Sequence, residues 1–176
     1  RQDVAVAGVI AEYNPFHRGH AWQAAEIRRR LGADTAVVAC MSGNFVQRGD
    51  FALVNKHSRA EMALAGGVDL VLELPTPWAA AGAERFAQGA AAVLAAAGVV
   101  THLAFGCECG ALEPLLAVAE GLEQAVFSEK LREMTGKGIS FPAARQQALE
   151  EITRAGECLS RPNNALAVEY LRALQS

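Results

Sequence analysis

Val4-Ala5-Val6-Ala7-Gly8-Val9-Ile10-Ala11-Glu12-Tyr13-Asn14-Pro15-Phe16-His17-Arg18-Gly19-His20 decides the fold. It opens with a nearly unbroken apolar run, and such a run, lacking alternation, suits a parallel strand buried on both faces. Asn14-Pro15 breaks the strand. From Ala21 onward the residues are good helix formers: Trp22, Gln23, Ala24, Ala25, Glu26, Ile27 and Arg28. His17 and His20 therefore fall at a strand-to-helix turn, at the N-terminus of the first helix. The helix dipole and its free N–H groups favour an anion there, and Gly19 lets a ligand approach the backbone closely. Two imidazoles at that place suit the phosphates of a nucleotide and the negative charge that grows on a pentavalent phosphorus. Helix-capping turn histidines are the plainer alternative. Zinc is disfavoured, because H-x-x-H supplies two ligands and no cysteine pair stands nearby at finger spacing.

Composition narrows the class. The 176 residues suit one domain, or one domain with a small helical extension. A hydrophobic content of 52% with 6% aromatic residues and abundant alanine fits an α/β core. The net charge of -3 and pI of 5.8 argue against a broad nucleic-acid-coating surface. No 18-residue apolar stretch free of charge occurs, and residues 1–20 do not read as a signal peptide. Cys40, Cys107, Cys109 and Cys158 show no secreted framework and read as reduced thiols of a cytoplasmic protein. Cys107-Glu108-Cys109 has the donors for a metal, but reads more simply as a pair of loop thiols.

The rest of the chain alternates. The first helix runs to Leu31, with Gly32 as its stop. Thr35–Cys40 reads as a second strand and Met41–Phe51 as a loop. Asn55 caps a helix through Ala65, ended by Gly66-Gly67. Asp69–Leu74 is a third strand stopped by Pro75. Ala83–Ala97 is a helix closed by Gly98, and Thr101–Phe105 a fourth strand. Beyond it, Leu112–Ala125, Ser128–Thr135, Pro142–Ala155 and Asn163–Leu174 all read as helices. Strand–helix alternation with short loops predicts an α/β fold with a doubly wound parallel sheet. The expected division is a Rossmann-like nucleotide-binding core over residues 1–110 and a helical C-terminal extension packed on it over 111–176. In such sheets ligands bind beyond the C-terminal strand ends, where the histidine turn, the loop from Ser42 to Gly49 and the Gly106 loop all lie.

The loop Ser42-Gly43-Asn44-Phe45-Val46-Gln47-Arg48-Gly49 is longer than a minimal strand–helix connection, which suggests function. Arg48 has the planar fork that clamps a phosphate or carboxylate. Lys56, His57 and Arg59 open the next helix, where the dipole disfavours cations, so the cluster suggests either an anionic partner or a solvated basic face. Arg28-Arg29-Arg30 ends a helix, where cations are favoured, and needs no ligand.

The H-x-G-H turn resembles the signature of adenylyl-transferring nucleotidyltransferases, which share a Rossmann-like fold with class I aminoacyl-tRNA synthetases. The whole chain resembles the N-terminal catalytic domain of the bacterial tRNA(Met) cytidine acetate ligase family. The resemblance is carried by Glu12–His20, Met41–Gly49, Gly67–Pro75, Phe105–Glu108, and Arg161-Pro162-Asn163-Asn164 ahead of Glu169-Tyr170-Leu171. It implies an enzyme that activates acetate with ATP as acetyl-adenylate and passes the acetyl group to the wobble cytidine of elongator tRNA(Met). Carried over residue by residue, the ATP site comprises Ile10, Ala11, Glu12, Tyr13, Asn14, Pro15, Phe16, His17, Gly19, His20 and Gln23, with His17 and His20 on the phosphates. Gly106 lies under the adenosine, near Asn163 or Asn164. Ser42, Gly43, Asn44, Gln47, Arg48, Lys56 and Arg59 are the expected substrate contacts, and His17, His20 and Arg48 the catalytic groups. Cys107 stands where the family often has serine.

Magnesium is expected with ATP, with Glu12, Asp50 and Glu108 as candidate ligands only; no dedicated metal site is expected. Alternative readings are an adenylyltransferase for a phosphorylated small molecule and a non-catalytic nucleotide- or RNA-binding module. Family members run well past position 176, into a further basic motif and a C-terminal domain. With few cations near the site (Arg48, Lys56, Arg59 and Lys137), residues 1–176 alone are expected to bind tRNA weakly.

Overall fold

The first strand, β1 (Val6–Ala11), forms where the apolar run predicts it and becomes the centre of the sheet. In this computed structural model, which describes residues 4–153 and 155–175, β1 pairs in parallel with β2 (Ala36–Ser42) on one side and β4 (His102–Ala104) on the other. Strand β3 (Leu70–Leu74) pairs in parallel with β2, giving the order β3-β2-β1-β4. The chain steps outward from β1 to β3, then returns to the far side of β1. That reversal is the switch point at which doubly wound sheets bind ligands.

Alternate residues of the strands serve opposite faces. Ala7, Val9, Val37, Ala39 and Met41 meet Ile27 of α1 (Arg18–Leu31) and Ala63 of α2 (Lys56–Ala65) in one core. On the other face Gly8 lies against α4 (Ala83–Ala96): a Cβ there would come within 2.9 Å of Leu94. Gly32 ends α1 at φ 118°, a conformation that glycine adopts without a steric penalty.

The chain divides into two compact units, one through Phe105 and one from Gly106. The second is helical: α5 (Glu113–Glu123), α6 (Ala125–Gly136), α7 (Phe141–Thr153), a 3-10 turn at Gly156–Ser160, and α8 (Pro162–Gln175). A buried carboxylate ties this unit together. Glu169 of α8 accepts from Arg145 of α7 and Arg172 of α8, at 2.6 and 2.7 Å, and Arg172 also reaches Glu123 of α5 at 2.6 Å.

Two boundaries differ from expectation for a physical reason. Met41 and Ser42, expected in the loop, extend β2 because they still pair with Glu73 and Leu74 of β3. Pro75, expected only as a stop, opens a single helical turn, α3 (Thr76–Ala79). Position 154, within the helix expected over Pro142–Ala155, lies outside the described residues.

Candidate active site

At the end of β1 the two histidines cap α1 and each other. His17 is the N-cap: its Nδ1 accepts from the Gly19 N–H at 3.1 Å, and the Nδ1 of His20 accepts from the His17 N–H at 3.2 Å. This is a capping box built from imidazoles instead of a hydroxyl and a carboxylate. The rings stack at 3.7 Å between centroids, 23° from parallel. Tyr13 and Phe16 support His20 from the side, at 4.8 and 5.4 Å. Tyr13 is buried at φ 48°, the Asn14-Pro15 peptide is cis, and burial pushes the Tyr13 hydroxyl up to about 12.

These hydrogen bonds assign the protons. Both Nδ1 atoms accept, so in the neutral rings Nε2 carries hydrogen and is the nitrogen left to donate. Burial, then the neighbouring His17, pushes the His20 pKa down to about 4 from 6.5. A group depressed in the folded state is neutral there while the unfolded chain takes up a proton. Its stabilising contribution is complete above pH 6.5 and is lost as pH falls toward 4. Thermal melts from pH 7 to pH 4.5 are therefore expected to show a steeper loss of Tm for the wild type than for His20→Asn, which cannot titrate. Parallel slopes would count against the assignment.

Arg59 departs furthest from expectation. It was read as part of a basic face or an anion contact, yet it is the largest fully buried side chain among the described residues. Its Nε donates to the Val54 carbonyl at 2.9 Å, Nη1 to the Glu12 carbonyl and Nη2 to the Gly43 carbonyl. One guanidinium thus binds the ends of β1 and β2 and the loop that leads from β2 to α2. Burial lowers its pKa, opposed by the charges of Glu12 and Glu73. Buried and donating to three carbonyls, it is placed as a tie between backbone segments and not on the exposed basic face expected of it.

Lys56 is not a free cation either. It pairs at 2.7 Å with Glu73, a strand carboxylate whose signal in the sequence is that it is the lone charge in Leu70-Val71-Leu72-Glu73-Leu74. A Cβ on Gly43 would run into the same carboxylate.

The loop after β2 is firmly held. Glu12 accepts from the Gln47 N–H at 2.8 Å, Asn14 from the Leu53 N–H at 2.7 Å, and the Asn44 side chain from the Lys56 N–H at 3.4 Å. A short antiparallel bridge joins Phe45 to Phe51. Two polar side-chain atoms here are buried without a hydrogen-bond partner, Ser42 Oγ and Gln47 Nε2.

Arg48 is exposed, makes no ion pair among the described residues, and sits at φ 68°. A non-glycine residue held in that region costs of order 1 kcal/mol. Arg48→Gly is therefore expected to leave stability unchanged or raise it by about 0.5–1 kcal/mol while lowering activity. Urea unfolding beside a rate assay checks both, and a destabilised variant would refute the strain. Of the remaining expected contacts in this unit, Ile10, Ala11 and Gln23 are half-buried on β1 and α1, and Pro15 is exposed in the turn.

Gly106, Asn163 and Asn164 belong to the second unit, where the two asparagines cluster with Glu108. Glu108 spends its carboxylate on the N-terminus of α8, accepting from Asn163 N at 3.2 Å and Asn164 N at 2.8 Å. In return the buried Asn164 Oδ1 accepts from the N–H groups of Glu108 and Cys109, at 2.8 and 3.2 Å. Glu108 is thereby a helix cap, which weakens its candidacy as a metal ligand. Asn163 is exposed, and nothing lies within 4 Å of where a Gly106 Cβ would stand. Among the described residues no group of three or more His, Cys, Asp or Glu is placed to hold a metal.

A parallel sheet of order β3-β2-β1-β4, with a histidine pair capping the helix after its central strand, defines a nucleotide-binding domain of the nucleotidyltransferase type. The chain belongs to the HIGH Nucleotidyl Transferase family, whose model matches residues 4–176. It is 46% identical to the tRNA(Met) cytidine acetate ligase of Syntrophomonas wolfei, over 98% of this chain and 43% of that protein. It is also 46% identical to the ligase of the same name from Acetivibrio thermocellus, over 97% of this chain and 42% of that protein. The crystal structure of Thermotoga maritima TmcAL bound with alpha-thio ATP superposes with a TM-score of 0.90 at 41% identity, covering 98% of this chain and 44% of that one. The chain spans less than half the length of these relatives.

Proposed function

We propose that this chain is the ATP-using domain of a tRNA(Met) cytidine acetate ligase. The observation that carries the reading is the histidine capping box after β1, in a chain similar over nearly its whole length to ligases of that name. The similarity to a relative bound to an ATP analogue supports ATP as the nucleotide.

The proposed reaction has two steps. An acetate oxygen attacks the α-phosphorus of ATP, the bond to the β-phosphate oxygen breaks, and pyrophosphate leaves with the electron pair. The exocyclic amine of the wobble cytidine of elongator tRNA(Met) then attacks the acetyl carbonyl. AMP departs and the amine loses a proton. Neither step needs a protein nucleophile; both need positioning and charge stabilisation. His17 and His20 present Nε2–H donors beside the helix N-terminus, where charge grows on the phosphoryl oxygens. Arg48 supplies an exposed cation with a planar fork, and Arg59 a fixed charge beneath the strand ends. Magnesium brought with ATP would supply further charge neutralisation at the phosphates, with Glu12 and Asp50 the side chains that could hold it. No helix among the described residues is long and apolar enough to cross a membrane, and a cytoplasmic setting suits a tRNA substrate.

Acetate-dependent exchange of labelled pyrophosphate into ATP tests the reading. Exchange that requires acetate supports it. Exchange driven only by a phosphorylated small molecule would favour an adenylyltransferase, and its absence with every acid a non-catalytic module.

A further inference from the structure

Two large apolar side chains stand in solvent on the loop that carries Arg48: Phe51 is 76% exposed and Leu53 is 78% exposed. Their backbone is anchored. Phe51 pairs with Phe45 across the bridge, with the rings 5.0 Å apart. Ala52 N–H donates to the Asn44 carbonyl at 3.0 Å, Val46 N–H to the Asp50 carbonyl at 2.9 Å, and Leu53 N–H to the Asn14 side chain at 2.7 Å. Asn14 lies in the turn that also carries His17. The protein thus displays an aromatic ring on a fixed hairpin, tied to the segment that caps α1.

We infer that the Phe45–Phe51 hairpin is a stacking platform for an unpaired RNA base next to the acetylation site. The inference rests on the proposed function and identifies where that substrate is held. Size favours a base over a protein. Two side chains of this kind offer roughly 300 Å², well below the ~800 Å² that each partner brings to a standard protein interface, whereas one base covers one ring. Two exposed arginines, Arg48 on this loop and Arg18 at the start of α1, can follow the backbone of a bound strand; the exposed carboxylates of these segments are Asp50 on the loop and Glu61 further along the helix that follows. Proteins that grip single strands combine an aromatic face with cations that follow the backbone.

The test uses the full-length protein and a tRNA(Met) anticodon stem-loop with 2-aminopurine beside the target cytidine. Phe51→Ala is expected to raise the KM for tRNA by about tenfold, to abolish the fluorescence change on binding, and to leave acetate-dependent pyrophosphate exchange unchanged. Phe51→Trp is expected to retain both RNA readouts. An unchanged KM and fluorescence in Phe51→Ala would overturn the inference. So would loss of exchange, which would place the ring at the adenylate, or a fall in Tm, which would show that another part of the protein covers it. Absence of acetate-dependent exchange in the wild type would instead defeat the functional reading itself.

Discussion

Arg59→Ala is expected to cost the first unit about 3–5 kcal/mol, the range seen when half of a buried charged interaction is removed. The reason lies in what remains. Three carbonyls, those of Glu12, Gly43 and Val54, lose their charged donor, two of them at the ends of adjacent strands. Each buried acceptor left without a partner costs about 1–3 kcal/mol, and partial relaxation keeps the sum below simple addition. Arg59→Met separates packing from hydrogen bonding, since methionine fills much of the space and donates nothing. It is expected to be nearly as destabilising as alanine. Arg59→Lys keeps the charge but concentrates its donors at one point, so it should recover only part of the loss. Urea unfolding of the four proteins checks the series. An Arg59→Met variant within 1 kcal/mol of wild type would show that the guanidinium contacts contribute little.

Arg59 also shows where reading the sequence stops. Local signals located the elements well. The apolar run of β1, the Asn55 cap and the Gly32 and Gly66 stops all stand within a residue or so of expectation. The histidine turn was equally legible, and its H-x-x-H spacing is that of a capping box, which could have foretold the mutual capping. What was hidden is non-local. The carbonyls that bury Arg59 include those of residues 12 and 43, and Lys56 meets a carboxylate 17 positions later. Glu108 and Asn164 close their reciprocal cap across 56 residues. A dipole argument about the first turn of α2 sees only neighbours along the helix. It therefore treats a cation there as exposed, when tertiary structure has supplied it with backbone acceptors. The two extra residues of β2 were missed for the same reason, since only the partner strand marks them as paired.

ATP affinity is where the second large effect is expected. His20→Ala removes an Nε2–H donor from the N-terminal end of α1, where the proposed function places the phosphates, and also the ring that stacks on His17. A hydrogen bond to a charged group contributes about 1.5–3 kcal/mol, so ATP should bind about 10- to 150-fold more weakly. Alanine alone would confuse two causes, because it also uncaps the His17 N–H and costs about 1 kcal/mol of helix stability. His20→Asn separates them. Its short carboxamide can still accept from the His17 N–H, as asparagine does at other helix starts, but it cannot reach as far as imidazole Nε2. Asparagine should thus restore most of the stability lost in alanine and little of the ATP affinity. Calorimetric titration with ATP and thermal melts of the same three proteins give the two quantities independently. If asparagine regained affinity in step with stability, the histidine would be acting only as a cap, and the phosphate contact would have to come from elsewhere in the turn.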